Sequence, residues 1–195
     1  MNLDILYNKI AQVSEVLPEN ILLAAGSDGA IRACFGSCIV PRDKIVLTRP
    51  TFAMYDVYGK AFEANISYVE YIIDFNGQIR LNLKKLFGIL KRKPKLLCLP
   101  NPDSPTGSIM DEKILNKILN ICKKINCYVL IDEAYHLFYK SSQIKKIKSF
   151  KNLIIIKSFS KAFGLAGVRA GCLIAHKDTI ILLKSFKQMY ELNHF

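Results

Sequence analysis

The chain has little histidine and is short of acid. Only 3 His occur in 195 residues, and 16 Asp and Glu stand against 28 Lys and Arg. With so few imidazoles, the closely spaced cysteines Cys34/Cys38 and Cys122/Cys127 match no zinc-ligand template, so no metal site is expected. No apolar run approaches the roughly 18–20 residues that a membrane helix needs. The opening residues Met1, Asn2, Leu3 and Asp4 supply neither a basic nor a continuous apolar stretch, so no secretory signal is expected. With 10 Gly and 7 Pro, a collagen-like or linker-like chain is excluded. A hydrophobic content of 51% excludes intrinsic disorder. The length fits one full-sized globular domain.

What is present begins with six cysteines, most of them inside apolar runs. They read as buried free thiols of a protein in a reducing cytoplasm. The net charge of +12 raises nucleic acid as a partner. The lysines, however, are spread along the chain, at 84–85, 91–95, 123–124 and 145–148 among others. No aromatic residues interleave with them to form a base-stacking platform. A solvated lysine-rich surface is the reading, with no nucleic-acid and no membrane partner.

Leu3, Leu6, Tyr7, Ile10, Val13 and Leu17 recur at helical spacing, so an amphipathic helix is expected over 3–17. Short, continuously apolar stretches at 21–25, 44–48, 66–70, 95–99, 127–131, 153–157 and 171–175 read as buried strands. Helical stretches fall between them, at about 28–40, 52–62, 82–91, 111–125 and from 178 onward. Ser27 and Asp28 read as the cap of the second helix. This alternation predicts an α/β fold: three layers, α/β/α, with a mostly parallel sheet of about seven strands.

Ligands of such sheets bind beyond the carboxyl ends of the strands. The segments there are polar or glycine-rich: GSDG at 26–29, PDSPTG at 102–107, DEAY at 132–135 and SFSKAFGLAGVRAG at 158–171. Each alone has an ordinary structural reading, as a helix entrance, a rigid loop, a turn or a surface lysine. Ser158 and Lys161 also have the S-x-x-K spacing of penicillin-binding enzymes, but the S-D-N and K-T-G elements of that family are absent.

Together with PTFAMY at 50–55, these segments resemble the fold-type-I pyridoxal-phosphate enzymes, the aspartate-aminotransferase superfamily, and within it the histidinol-phosphate aminotransferases. The resemblance runs from about residue 3 to residue 184. It implies the large domain, with pyridoxal 5′-phosphate as cofactor, an amino donor and an oxo acceptor as small-molecule partners, and a homodimer. By the same likeness Lys161 is the lysine that joins the cofactor's C4 aldehyde and later carries the proton between Cα and C4′. Asp132 is the partner of the ring nitrogen, and Tyr135 hydrogen-bonds the 3′-oxygen. Ser27 and Asp28 present backbone N–H groups to the phosphate, Ser158 and Ser160 their hydroxyls, and Arg169 a guanidinium clamp. Phe52 stacks on the ring, where the histidinol-phosphate enzymes usually have tyrosine.

Ser104 stands where the family has asparagine, and Gly29 where it has an acid. The family's N-terminal arm and C-terminal small domain have no counterpart in these 195 residues, so a truncated form is expected. Ile181, Leu182 and Phe186 are expected to face the place of that small domain. Two other readings stay open: a decarboxylase of the same fold, resembling phosphothreonine decarboxylase, and a non-catalytic cofactor-binding remnant.

Overall fold

The computed structural model describes residues 3–139 and 141–186. Its centre is a single eight-stranded sheet in the order β1-β8-β7-β6-β5-β2-β3-β4. The strands are β1 (Ile21–Ala25), β2 (Lys44–Arg49), β3 (Asn65–Ile73), β4 (Ile79–Leu81), β5 (Leu96–Pro100), β6 (Tyr128–Asp132), β7 (Leu153–Ser158) and β8 (Ala170–Ala175). From β7 through β6, β5 and β2 to β3 all neighbours are parallel. β8 is antiparallel to both its neighbours, and β4 is antiparallel to β3.

Six helices cover the two faces: α1 (Asp4–Ser14), α2 (Gly26–Cys38), α3 (Ala53–Ala61), α4 (Leu83–Leu90), α5 (Glu112–Lys124) and α6 (Lys177–Lys184). Alternate strand residues separate two cores. Leu23, Val46, Leu97, Val129 and Ile155 pack with α1, α4 and α5. Leu22, Ile45, Cys98, Leu130 and Ile154 pack with α2, α3 and α6. This is the period-two geometry of a strand, with both faces apolar because both are covered. The three-layer architecture is the one the sequence predicts.

The differences are local. The short β4 has only Leu81 buried, so no apolar run announced it. Helix α1 stops at Ser14, because Glu15 turns left-handed (φ 53°) and its N–H closes back on the carbonyls of Ala11 and Gln12. Helix α2 starts one residue before Ser27. Gly26 takes φ +71° and bends the strand straight into the helix, so Ser27 and Asp28 lie in the first turn and no side chain caps it. Leu182 and Phe186 do not wait for a partner domain. Leu182 packs on the α2–α3 core, and Phe186 stacks edge-on against Phe62 at 5.6 Å and covers Gly36. Only Ile181 of the three is exposed, at 68%. The residues after Phe186, which the sequence reading includes in the helix from 178 onward, lie outside the described residues.

Candidate active site

The site forms where the parallel strands end. The ends of β1, β5, β6 and β7 deliver Gly26, Pro100, Asp132 and Ser158 to one edge. β8 runs the other way, so its beginning lies at the same edge. Its register pairs Ala170 with Ala25 and Gly171 with Ser158. Arg169, the residue before β8, is thereby carried to the start of α2. Its own backbone is left-handed (φ 54°), an uncommon conformation for a residue with a side chain. A Cβ placed on Gly26 would stand 3.3 Å from Arg169 Nη2, so the guanidinium lies against the glycine. One step on, a Cβ on Gly171 would stand 2.5 Å from the carbonyl carbon of Gly26. Two glycines thus let β8 and the α2 entrance touch.

All ten residues singled out in the sequence line one cavity of about 200 Å³: Ser27 and Asp28 from α2, Phe52 before α3, Ser104 after β5, Asp132 and Tyr135 after β6, and Ser158, Ser160, Lys161 and Arg169 between β7 and β8. Lys161 Nζ sits 5.3 Å from the centre of the Tyr135 ring. The loop that carries it is tied at its base by Phe159 N–H donating to Ala170 O (3.1 Å) and Leu165 N–H donating to Phe159 O (3.1 Å).

Asp132 is the buried acid of the site. Its Oδ1 accepts from the Ala134 N–H at 2.9 Å and its Oδ2 from the Tyr55 hydroxyl at 3.0 Å. Burial pushes its pKa above the usual carboxylate value, while the Ala134 amide, the Tyr55 hydroxyl and the charge of Lys161 pull it back. Tyr55 is fully buried, and burial together with the carboxylate beside it pushes its phenol well up. In the first turn of α2, one carboxylate oxygen of Asp28 is buried without a hydrogen-bond partner among the described residues.

The donor set suits an anion. Among the described residues Arg169 has no carboxylate within ion-pair distance, and it faces the positive end of α2. Beside it stand the hydroxyls of Ser158 and Ser160, with the Ser160 N–H donating to Ser158 Oγ at 3.2 Å. A guanidinium, a helix entrance, hydroxyls, an amine and a buried acid around one cavity fit a cofactor that has a phosphate, an aldehyde and a basic ring nitrogen.

Two features behind the site escaped the sequence. Tyr55 lies within the PTFAMY segment, where the resemblance gives a role to Phe52 alone. Glu133 and Lys157 form a buried ion pair at 2.5 Å, with side chains 0% and 7% exposed. For the ion pair the available signal was a charged residue at the end of each apolar strand, Lys157 in β7 and Glu133 just after β6.

Comparison with known proteins identifies the family. The family model of aminotransferase class I and II matches residues 5–192. The chain belongs to the class I and II aminotransferases. That family is enzymatic and pyridoxal-phosphate-dependent, and its substrates are small molecules. Histidinol-phosphate aminotransferase from Caldanaerobacter subterraneus subsp. tengcongensis is 35% identical over 189 residues, which is 96% of this chain and 52% of that relative. A crystal structure from Erwinia carotovora atroseptica superposes with a TM-score of 0.87 at 26% identity, over 98% of this chain and 56% of the other. The Sinorhizobium meliloti histidinol-phosphate aminotransferase, solved in complex with pyridoxal 5′-phosphate, has a TM-score of 0.82 over 95% of this chain and 50% of its own, and at 22% identity shares the fold. This class I and II aminotransferase chain spans about half the length of the curated relatives it matches.

Proposed function

We propose that this chain is the large, pyridoxal-phosphate-binding domain of an aminotransferase resembling the histidinol-phosphate enzymes. It takes part in moving an amino group between an amino acid and an oxo acid or oxo-phosphate. The observation that carries this reading is the convergence of Lys161, Asp132 and the Arg169 cradle on one cavity. When bound, the cofactor supplies a carbonyl carbon that receives the amino group and a ring that draws electrons from the substrate's Cα.

The residues divide that work. Lys161 would hold the cofactor through its amine and, when that amine is free, would carry the proton at the substrate's Cα. Asp132, ionised and held by two donors, keeps the proton on the ring nitrogen. Tyr135 and Ser104 would donate to the ring oxygen, and Phe52 would supply an aromatic surface for the ring. Arg169, Ser158 and Ser160, with the backbone N–H groups of Ser27 and Asp28, would hold the phosphate, for which the planar guanidinium fork is suited.

The acting form is a homodimer, as the family likeness implies, and sedimentation would register it. The compartment is the cytoplasm. Six free cysteines, all buried, suit a reducing medium. No helix among the described residues is long and apolar enough to cross a membrane.

The decisive experiment is borohydride reduction after incubation with pyridoxal 5′-phosphate. A pyridoxyl group on the peptide containing Lys161 is expected by mass spectrometry. A label on another lysine, or no label, overturns the reading.

A further inference from the structure

The site's buried acid is held from behind by a residue that does not line the cavity. Tyr55 is 0% exposed, and its hydroxyl meets Asp132 Oδ2 at 3.0 Å across 77 residues of sequence. It stands in the first turn of α3, where its N–H donates to the carbonyl of Phe52 at 3.1 Å. Phe52 itself lines the cavity. The bond to Asp132 therefore ties the carboxylate at the end of β6 to the turn that carries the aromatic wall.

We propose that Tyr55 is a positioning residue that sets both the ionisation and the orientation of Asp132, and through α3 the placement of Phe52. The direction of the bond is decided by chemistry. A fully buried phenol beside a carboxylate keeps its proton and can only donate it. The Ala134 N–H takes one oxygen and the Tyr55 hydroxyl the other, so the carboxylate plane is held at two points.

The other groups that act on Asp132 do not replace this bond. Lys161, in the loop after β7, helps to keep the carboxylate ionised, but it is exposed and its charge is screened by water. Glu133, next on the chain, opposes ionisation, yet its own charge is matched by Lys157. Cys98 on β5 faces Asp132 as a thiol whose pKa is pushed well above its usual value, so it stays neutral. Tyr55 is thus the buried side-chain donor to the acid that partners the cofactor ring under the function proposed above.

The consequence for the ring rests on that function, but the test of the coupling does not. In the cofactor-free full chain the Asp132 carboxyl pKa is read by carbon-13 NMR. Tyr55→Phe is expected to raise it by about one pH unit, a tenfold gain in proton affinity, because a hydrogen bond to a charged group is lost. Tyr55→3-fluorotyrosine, a stronger donor of nearly the same shape, is expected to lower it, and this arm stands even if the phenylalanine variant folds poorly. A merely structural tyrosine would move neither titration with this pair of opposite signs. An Asp132 titration that overlays the parent's in the fluorotyrosine protein overturns the proposal. Absence of the pyridoxyl label at Lys161 would instead overturn the function and leave the carboxyl titration to decide the coupling.

Discussion

Replacing Lys157 by methionine should remove much of the stability of this domain. Lys157 is the penultimate residue of β7, immediately before Ser158, and Glu133 follows Asp132 at the end of β6, so their ion pair ties together two strand ends that build the site. Glu133 accepts from Lys157 Nζ at 2.5 Å, from the Gln143 N–H at 2.6 Å and from Ser142 Oγ at 2.7 Å, with no exposure to water. Lys157→Met leaves the carboxylate buried with two neutral donors and no counter-charge. Breaking a buried pair on one side costs about 3–5 kcal/mol, out of a total of about 5–15 kcal/mol for a typical domain. For a chain of this size that corresponds to roughly 6–20 °C in Tm. Replacing both partners, as Lys157→Met with Glu133→Gln, should recover most of the loss, because no unpaired charge remains and the amide oxygen can still accept.

The sign with pH gives a second check. Burial already holds the Lys157 pKa below the usual lysine value, with Glu133 pulling it back up. In Glu133→Gln alone that pull is gone, and the folded state binds the Lys157 proton more weakly than the unfolded chain does. Stability then rises with pH below the unfolded lysine pKa of about 10.4, so this variant should lose less at pH 9 than at pH 7. Urea unfolding followed by circular dichroism, with midpoints compared at constant m, measures each variant. A Lys157→Met protein within about 1 kcal/mol of the parent would refute the reasoning, and so would a double variant as unstable as the sum of the singles.

Two further outcomes follow from the same geometry. Gly171→Ala would drive a Cβ to 2.5 Å from the Gly26 carbonyl carbon. It should cost about 1–3 kcal/mol by overpacking, and weaken binding of pyridoxal 5′-phosphate more than of phosphate-free pyridoxal, as titration calorimetry would register; equal losses for both would mean the α2 entrance does not hold the phosphate. Because burial raises the Asp132 pKa and the ionised form is the one that holds a protonated ring nitrogen, cofactor affinity should decline on acidification from a higher pH than an ordinary aspartate would give. Fluorescence titrations across pH 4–8 would check this, and Asp132→Asn should remove the inflection.

The layers of the fold were legible in the sequence because hydrophobic periodicity is local. Mostly apolar stretches such as 95–99 and 153–157 are what strands covered on both faces require, and the helical faces between them repeat within a turn or two. The polar segments that follow these strands pointed to the cavity for the same reason: each lies a few residues from the strand end that presents it. Resemblance then attached roles to residues whose types alone admitted several readings.

Which strands are neighbours was not legible, and that decided the site. Arg169 reaches the start of α2 only because β8 inserts antiparallel between β1 and β7, which brings residues 25 and 170 into register. The tyrosine that holds Asp132 comes from a helix 77 positions earlier, and the Glu133–Lys157 pair joins adjacent strands across 24 positions. Leu182 and Phe186 looked like surface for another domain, yet the shape left open by Gly36 and the ring of Phe62 gave Phe186 a seat within this one. Period and propensity act along the chain, whereas these contacts depend on strand order and on the space left between packed side chains, which exist only once the sheet has assembled.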